Sequence, residues 1–128
     1  MKLLLDTHLL LWAASAPDKL SHTAKKLIEA PENKLFFSSV SLWEIVIKHS
    51  LGRADFQVDA RLLRRGLLTH GYQELSVTSE HAVAVATLPL HHKDSFDRML
   101  IAQSQIEGYI LLTSDNTLAQ YQGQIQLV

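Results

Sequence analysis

KLLLDTHLLLWAA, residues 2–14, is the stretch on which the fold turns. Lys2 is followed by three leucines and then by Asp6. A short unbroken apolar run closed by an acid is the pattern of a strand covered on both faces, as in a parallel sheet. From Thr7 to Ala14 the apolar residues continue as a helix, and Pro17-Asp18 marks the turn that ends it. Asp6 and His8 break the apolar stretch too early for a signal peptide, so a strand followed by a helix is the expectation.

Outward from this stretch, the strand-then-helix unit recurs. Ser21 opens a second helix that stops at Pro31, and residues 34–38 (KLFFS) form a second strand. Ser41-Leu42-Trp43-Glu44 has the form of a capping box and is expected to start a helix through His49, closed by Gly52. Residues 58–70 read as a basic amphipathic helix, 74–77 as a short third strand, and 79–88 as a helix ended by Pro89. A helix over 96–107, closed by Gly108, precedes a fourth strand at 109–113 (YILLT). A last short helix over 116–121 and a final strand over 124–128 complete the chain. Strands alternating with helices predict an α/β fold, a five-stranded parallel sheet flanked by helices on both faces, with residues 1–128 as one domain.

The bulk composition narrows the function classes. With 128 residues, 47% hydrophobic and 20% charged, the chain has the make-up of a folded domain. The absence of cysteine excludes disulfides, thiolate zinc sites and a thiol nucleophile, and suits a cytoplasmic protein. No apolar run approaches the roughly 20 residues of a membrane span. A net charge of −1 offers no global attraction for nucleic acid, so any such attraction must be local.

Four acids fall where parallel-sheet proteins bind ligands, beyond the carboxyl ends of the strands. Asp6 ends the first strand, Glu44 lies in the first turns of the helix after the second, Asp97 opens the penultimate helix, and Asp115 follows the fourth strand. Asp94 sits one turn before Asp97. Each alone has an ordinary explanation as a helix cap. Together, on helix starts that converge at one sheet edge, they are expected to share a cleft. Two carboxylates about 4 Å apart repel by roughly 4 kcal/mol at an effective dielectric of 20. Such a cluster calls for protonation or for a divalent cation with hard oxygen ligands, Mg²⁺ or Mn²⁺ rather than zinc.

The ordered segments LLLDTHLLLW, SSVSLWEIVIK, HKDSFDRMLIAQ and LLTSDNTLAQY resemble the PIN-domain family, and within it the VapC-type toxin ribonucleases of bacterial toxin–antitoxin pairs. Asp6, Glu44, Asp97 and Asp115 match the four acidic positions of the family pattern; Ser95 stands where proline is usual in one branch. The resemblance implies metal-dependent hydrolysis of RNA, with Asp6 and Asp97 as direct ligands of Mg²⁺ or Mn²⁺. Asp115 then completes that site, and Glu44 binds a second ion or holds the attacking water. It also implies a cognate antitoxin and a homodimer as partners. Thr7, Ser114 and Asp94 are expected to support the site from behind or to cap the adjoining helices.

An acidic cleft repels RNA, so cations must supply the binding. Lys48, Arg53, Arg61, Arg64, Arg65, Lys93 and Arg98 are the candidates, with Arg61 and Arg65 one turn apart on one helix face. His91-His92 is expected in a surface loop, His8 and His49 in packing or surface roles, and Trp12 and Trp43 in the core or an interface. A haloacid-dehalogenase-like phosphatase needs a second acid where His8 stands. A response-regulator receiver needs an acidic pair and a late lysine that this chain lacks. The remaining alternative to a nuclease is a non-catalytic PIN-like module that binds nucleic acid or a partner and keeps its acids as caps.

Overall fold

A computed structural model describes every residue from Met1 to Val128. The five strands, β1 (Lys2–Leu5), β2 (Lys34–Ser38), β3 (Gln73–Leu75), β4 (Ile110–Thr113) and β5 (Ile125–Leu127), form one sheet. Their order is β3-β2-β1-β4-β5 and every pairing is parallel. The expected α/β architecture is therefore present. β1 pairs with β2 on one side and with β4 on the other, so the chain reverses its winding between β1 and β4. That switch point leaves a crevice at the carboxyl ends of the two strands.

Six α-helices cover the sheet: α1 (Thr7–Ser15), α2 (His22–Glu29), α3 (Ser39–Ser50), α4 (Ala60–Thr69), α5 (Ser79–Ala84) and α6 (Ser95–Glu107). The period-two alternation of the strands divides the core. Leu3 and Leu5 of β1 join Phe37 and Leu112 beneath α1, α2 and α4. Leu4, between them, faces the opposite layer with Phe36, Leu111, Leu100 and Ile101. All three β1 leucines are fully buried, and burial of each contributes about 2 kcal/mol. Gly108 closes α6 in the left-handed region at φ 74°, which a residue with a Cβ resists. No helix is long and apolar enough to cross a membrane.

Several boundaries differ from expectation. Helix α3 starts two residues before Ser41, because the Ser38 hydroxyl at the end of β2 already accepts the Val40 N–H. Ser41-to-Glu44 is thus helix interior rather than a capping box, and Ser41 is fully buried. The helix expected over 79–88 ends at Ala84 and tightens into a 3₁₀ turn, Val85–Thr87, ahead of Pro89, whose ring does not accept an α-helical predecessor. The helix expected over 116–121 is only a 3₁₀ turn, Leu118–Gln120.

Candidate functional site

Asp6 leaves β1 at the switch point. Its backbone N–H donates to the Leu112 carbonyl, extending the β1–β4 ladder by one bond. Its side chain is buried and held by neutral donors: Leu9 N–H to Oδ1 at 2.9 Å and the Thr113 hydroxyl to Oδ2 at 2.6 Å. Asp6 therefore caps α1, as the plain reading of the sequence allowed, and faces a cleft of about 260 Å³ with the same carboxylate. Burial raises its pKa above the usual carboxylate range, against the lowering effect of the Thr113 and Leu9 bonds.

Glu44 projects from the second turn of α3 and is buried. Thr7 Oγ1 donates to its Oε1 at 2.6 Å, and Lys48, one turn on, donates to its Oε2 at 2.6 Å. The Thr7 hydroxyl has one proton, so the 2.9 Å contact with Ser41 Oγ is a bond that Ser41 donates. Asp94 caps α6 by accepting the Asp97 N–H at 3.0 Å, and its other oxygen lies 3.5 Å from Lys48 Nζ. Asp97 Oδ2 meets His92 Nε2 at 2.8 Å. Burial first, and then the charge of Asp94, push the Asp97 pKa up to about 6, with the His92 bond opposing them.

Asp115 follows β4 by two residues. Its N–H donates to Thr113 Oγ1 at 3.0 Å and its Oδ1 accepts the Thr117 N–H at 2.8 Å, an Asx turn that fixes the side chain. Asp6, Glu44, Asp94, Asp97 and Asp115 thus line one cleft with Thr7, His8, Lys48, Arg53, His92, Ser114 and Leu118. A larger, mostly apolar cavity of about 670 Å³ lies between α1, α2 and α4, and none of the four family-pattern acids lines it.

The remaining candidates separate into those at the cleft and those away from it. Ser114 is exposed on its rim, whereas Arg61 and Arg65, on α4, do not line it. Arg64, also on α4, pairs with Glu74. Lys93 is exposed in the loop between His92 and Asp94.

Three expectations need correction. Arg98 does not offer its charge to the cleft: its guanidinium donates to the carbonyls of Val85, Leu88 and Pro89 and to Tyr121 Oη, tying down the loop before α6. Lys48, expected to meet RNA, is instead engaged by Glu44 and Asp94. His92 is not a bystander of a surface loop. Its ring shares the cleft, and ligand atoms of His92, Asp94 and Asp97 all lie within 4.8 Å of one another.

The aromatic and histidine expectations fare unevenly. Trp12 packs against the core, but Trp43 is 61% exposed and touches Phe96 edge-on at 5.4 Å. His8 meets Phe56 edge-on and pairs with Asp55, and His49 Nδ1 meets the Phe56 carbonyl.

Sequence reasoning gave Thr113 no role, and read Ser41 only as a helix cap and His92 only as a loop residue. Thr113 carries an available signal, a hydroxyl at the last position of an otherwise apolar strand (ILLT). It is fully buried and reaches Asp6 from behind the cleft, while Ser114 lies exposed at the rim.

The family model for the PIN domain matches residues 3–124. The chain belongs to the PIN domain family. No curated protein sequence matches it. Among solved structures, this PIN domain is similar to a chain of VapBC2 from Rickettsia felis bound to a DNA fragment from their promoter. That match has a TM-score of 0.75 at 14% identity and covers 100% of this chain and 99% of that one. It is also similar to a chain of VapBC-1 from nontypeable Haemophilus influenzae, with a TM-score of 0.64 at 16% identity over 99% and 98% of the two chains. A third likeness is to VapC20 of Mycobacterium tuberculosis, described as a Sarcin-Ricin loop cleaving toxin. The TM-score there is 0.63 at 17% identity over 94% and 96%. At these identities the likeness is one of fold.

Proposed function

We propose that this PIN domain is a divalent-metal-dependent endoribonuclease, the toxin of a toxin–antitoxin pair, that hydrolyses RNA phosphodiester bonds in the cleft beside the β1–β4 switch point. The observation that carries the reading is the convergence of Asp6, Glu44, Asp97 and Asp115, from four separate parts of the chain, on that cleft. The likeness in fold to VapBC complexes and to VapC20 supports the toxin assignment. With it come a cognate antitoxin, a homodimer and a cytoplasmic location.

The donor set fits a magnesium or manganese ion. Asp6, Asp97 and Asp115 offer hard oxygens, and the burial that raises the Asp6 and Asp97 pKa values leaves two charges in need of a counter-ion. These three residues would hold it, with Thr113 and His92 orienting Asp6 and Asp97 from behind. When bound, such an ion supplies an acidified water and positive charge beside the scissile phosphate.

Glu44, its Oε1 anchored by Thr7, orients the attacking water, and Asp94 sets the position of Asp97 through the α6 cap. Ser114 contributes a hydroxyl at the rim. Attack by water leaves 5′-phosphate and 3′-hydroxyl ends. Arg53 and Lys93, at the cleft mouth and in its neighbouring loop, bind the RNA backbone, which makes affinity salt-dependent.

The test is a mixed RNA pool at low salt with purified, antitoxin-free protein. Mg²⁺, Mn²⁺ and EDTA are compared for wild type, Asp6→Asn and Asp97→Asn. Metal-dependent cleavage lost in both variants is the expected result. RNA bound without cleavage in every arm would turn the reading to the non-catalytic binding module.

A further inference from the structure

Lys48 is the only ammonium among the residues lining the cleft, and its surroundings are built rather than incidental. It stands one turn after Glu44 on α3 and contacts that carboxylate at 2.6 Å and Asp94 at 3.5 Å. Its side chain is 16% exposed. The nitrogen lies 5.0 Å from the ring centre of Phe56 and 5.5 Å from that of Phe96, so two aromatic rings flank the charge while two carboxylates neutralise it. Burial disfavours this ammonium, but the hydrogen bond and charge of Glu44, with Asp94 and Asp97 behind, outweigh that effect and raise its pKa.

The five acids of the cleft consequently fall into two sets. Asp6 and Asp115 accept hydrogen bonds only from neutral hydroxyl and amide donors. Such donors orient a carboxylate and leave its negative charge uncompensated. Asp97 keeps Oδ1 free of any hydrogen bond and has only the His92 ring at Oδ2. Glu44 and Asp94, in contrast, share a full positive charge.

We infer that Lys48 is a resident counter-ion that occupies the Glu44–Asp94 side of the cleft, so that the site takes one divalent cation, on Asp6, Asp97 and Asp115, and not two. This rests on the proposal that the cleft binds a divalent metal. Glu44 then acts on water and on its threonine and lysine partners rather than as a metal ligand, and Lys48 is a positioning residue that sets stoichiometry. Its removal leaves Glu44 and Asp94 without the cation they share, and their hard oxygens are the donors a second ion needs.

The experiment is Mn²⁺ titration of the protein with all of its cleft acids intact, followed by calorimetry and by the loss of the free-ion electron paramagnetic resonance signal. Neither readout depends on RNA cleavage. Wild type is expected to bind one Mn²⁺ per chain, Lys48→Met two, and Lys48→Arg one. Methionine keeps the apolar stem between Phe56 and Phe96, and circular dichroism reports whether each variant is folded. Two ions on the wild type, or one on a folded Lys48→Met, would overturn the role of Lys48. Should Lys48→Met not fold, the wild-type stoichiometry decides alone. No Mn²⁺ on the wild type would instead overturn the metal reading of the cleft, a separable failure.

Discussion

Thr113 gives its hydroxyl proton to Asp6 Oδ2 at 2.6 Å, and Thr113 Oγ1 in turn accepts the N–H of Asp115 at 3.0 Å. One side chain at the end of β4 therefore sets two of the acids, across strands whose register pairs Leu5 with Leu112.

Replacing Thr113 by valine keeps the β-branched shape and removes both bonds. Loss of such a supporting contact costs about 10–100-fold in metal affinity or activity, and that is the expected loss here for Mn²⁺ binding and RNA cleavage. Thr113→Ser restores most of it. A Thr113→Val protein that binds Mn²⁺ as the wild type does would remove the hydroxyl from the mechanism.

Asp97 makes the stability of the metal-free protein depend on pH with an unusual sign. Its folded pKa is raised to about 6. Between about pH 4 and pH 6 the folded chain retains a proton that the unfolded chain has released, so stability falls as pH rises through that window and levels off above it. The loss is about 3 kcal/mol. Urea midpoints measured in EDTA across this range should show the fall in wild type and a flatter profile in Asp97→Asn. Below pH about 6 the bound proton competes with the ion, and Mn²⁺ affinity declines in parallel.

Arg98 is a structural tie and its replacement acts on stability. Arg98→Met leaves the carbonyls of Val85, Leu88 and Pro89 without their donor. Bonds to a charged donor contribute about 1.5–3 kcal/mol each before compensation by water. A net destabilisation of about 2–4 kcal/mol in urea unfolding is expected. RNA affinity of the folded fraction should stay within about threefold of wild type, and a selective loss of RNA binding would return Arg98 to the binding surface.

Salt dependence distinguishes the cations. Arg53→Ala should lower the slope of log affinity against log salt by about one, as for one lost phosphate contact. Arg61→Ala with Arg65→Ala should leave the slope unchanged, since α4 does not line the cleft. Filter binding at several salt concentrations on an inactive Asp6→Asn background reads both.

The parallel sheet and two-sided core were legible because KLLL, KLFFS and YILLT are mostly apolar runs, a pattern few other environments favour. Candidate acids were recognisable by their places at strand ends and helix starts. The start of α3 was not, because Ser38 and Ser41 are both capping residue types three apart and only the end of β2 decides between them. The long-range partners of Lys48 and Arg98 were beyond reach for a different reason. Lys48–Glu44 is an i,i+4 pair within α3, but Lys48–Asp94 and Arg98–Tyr121 join elements whose relative placement is a tertiary matter, and a cation on an amphipathic segment reads as solvent-facing until such a neighbour is known.

The bond between Thr113 and Asp6 spans 107 residues. Asp6 directly follows the first strand to be made, and the partner that fixes its carboxylate is supplied only when nearly the whole chain is present. Chemistry therefore waits for the late insertion of β4 beside β1. The two ends of the sequence thus meet at the crevice, and a chain cut short before β4 has no crevice to offer.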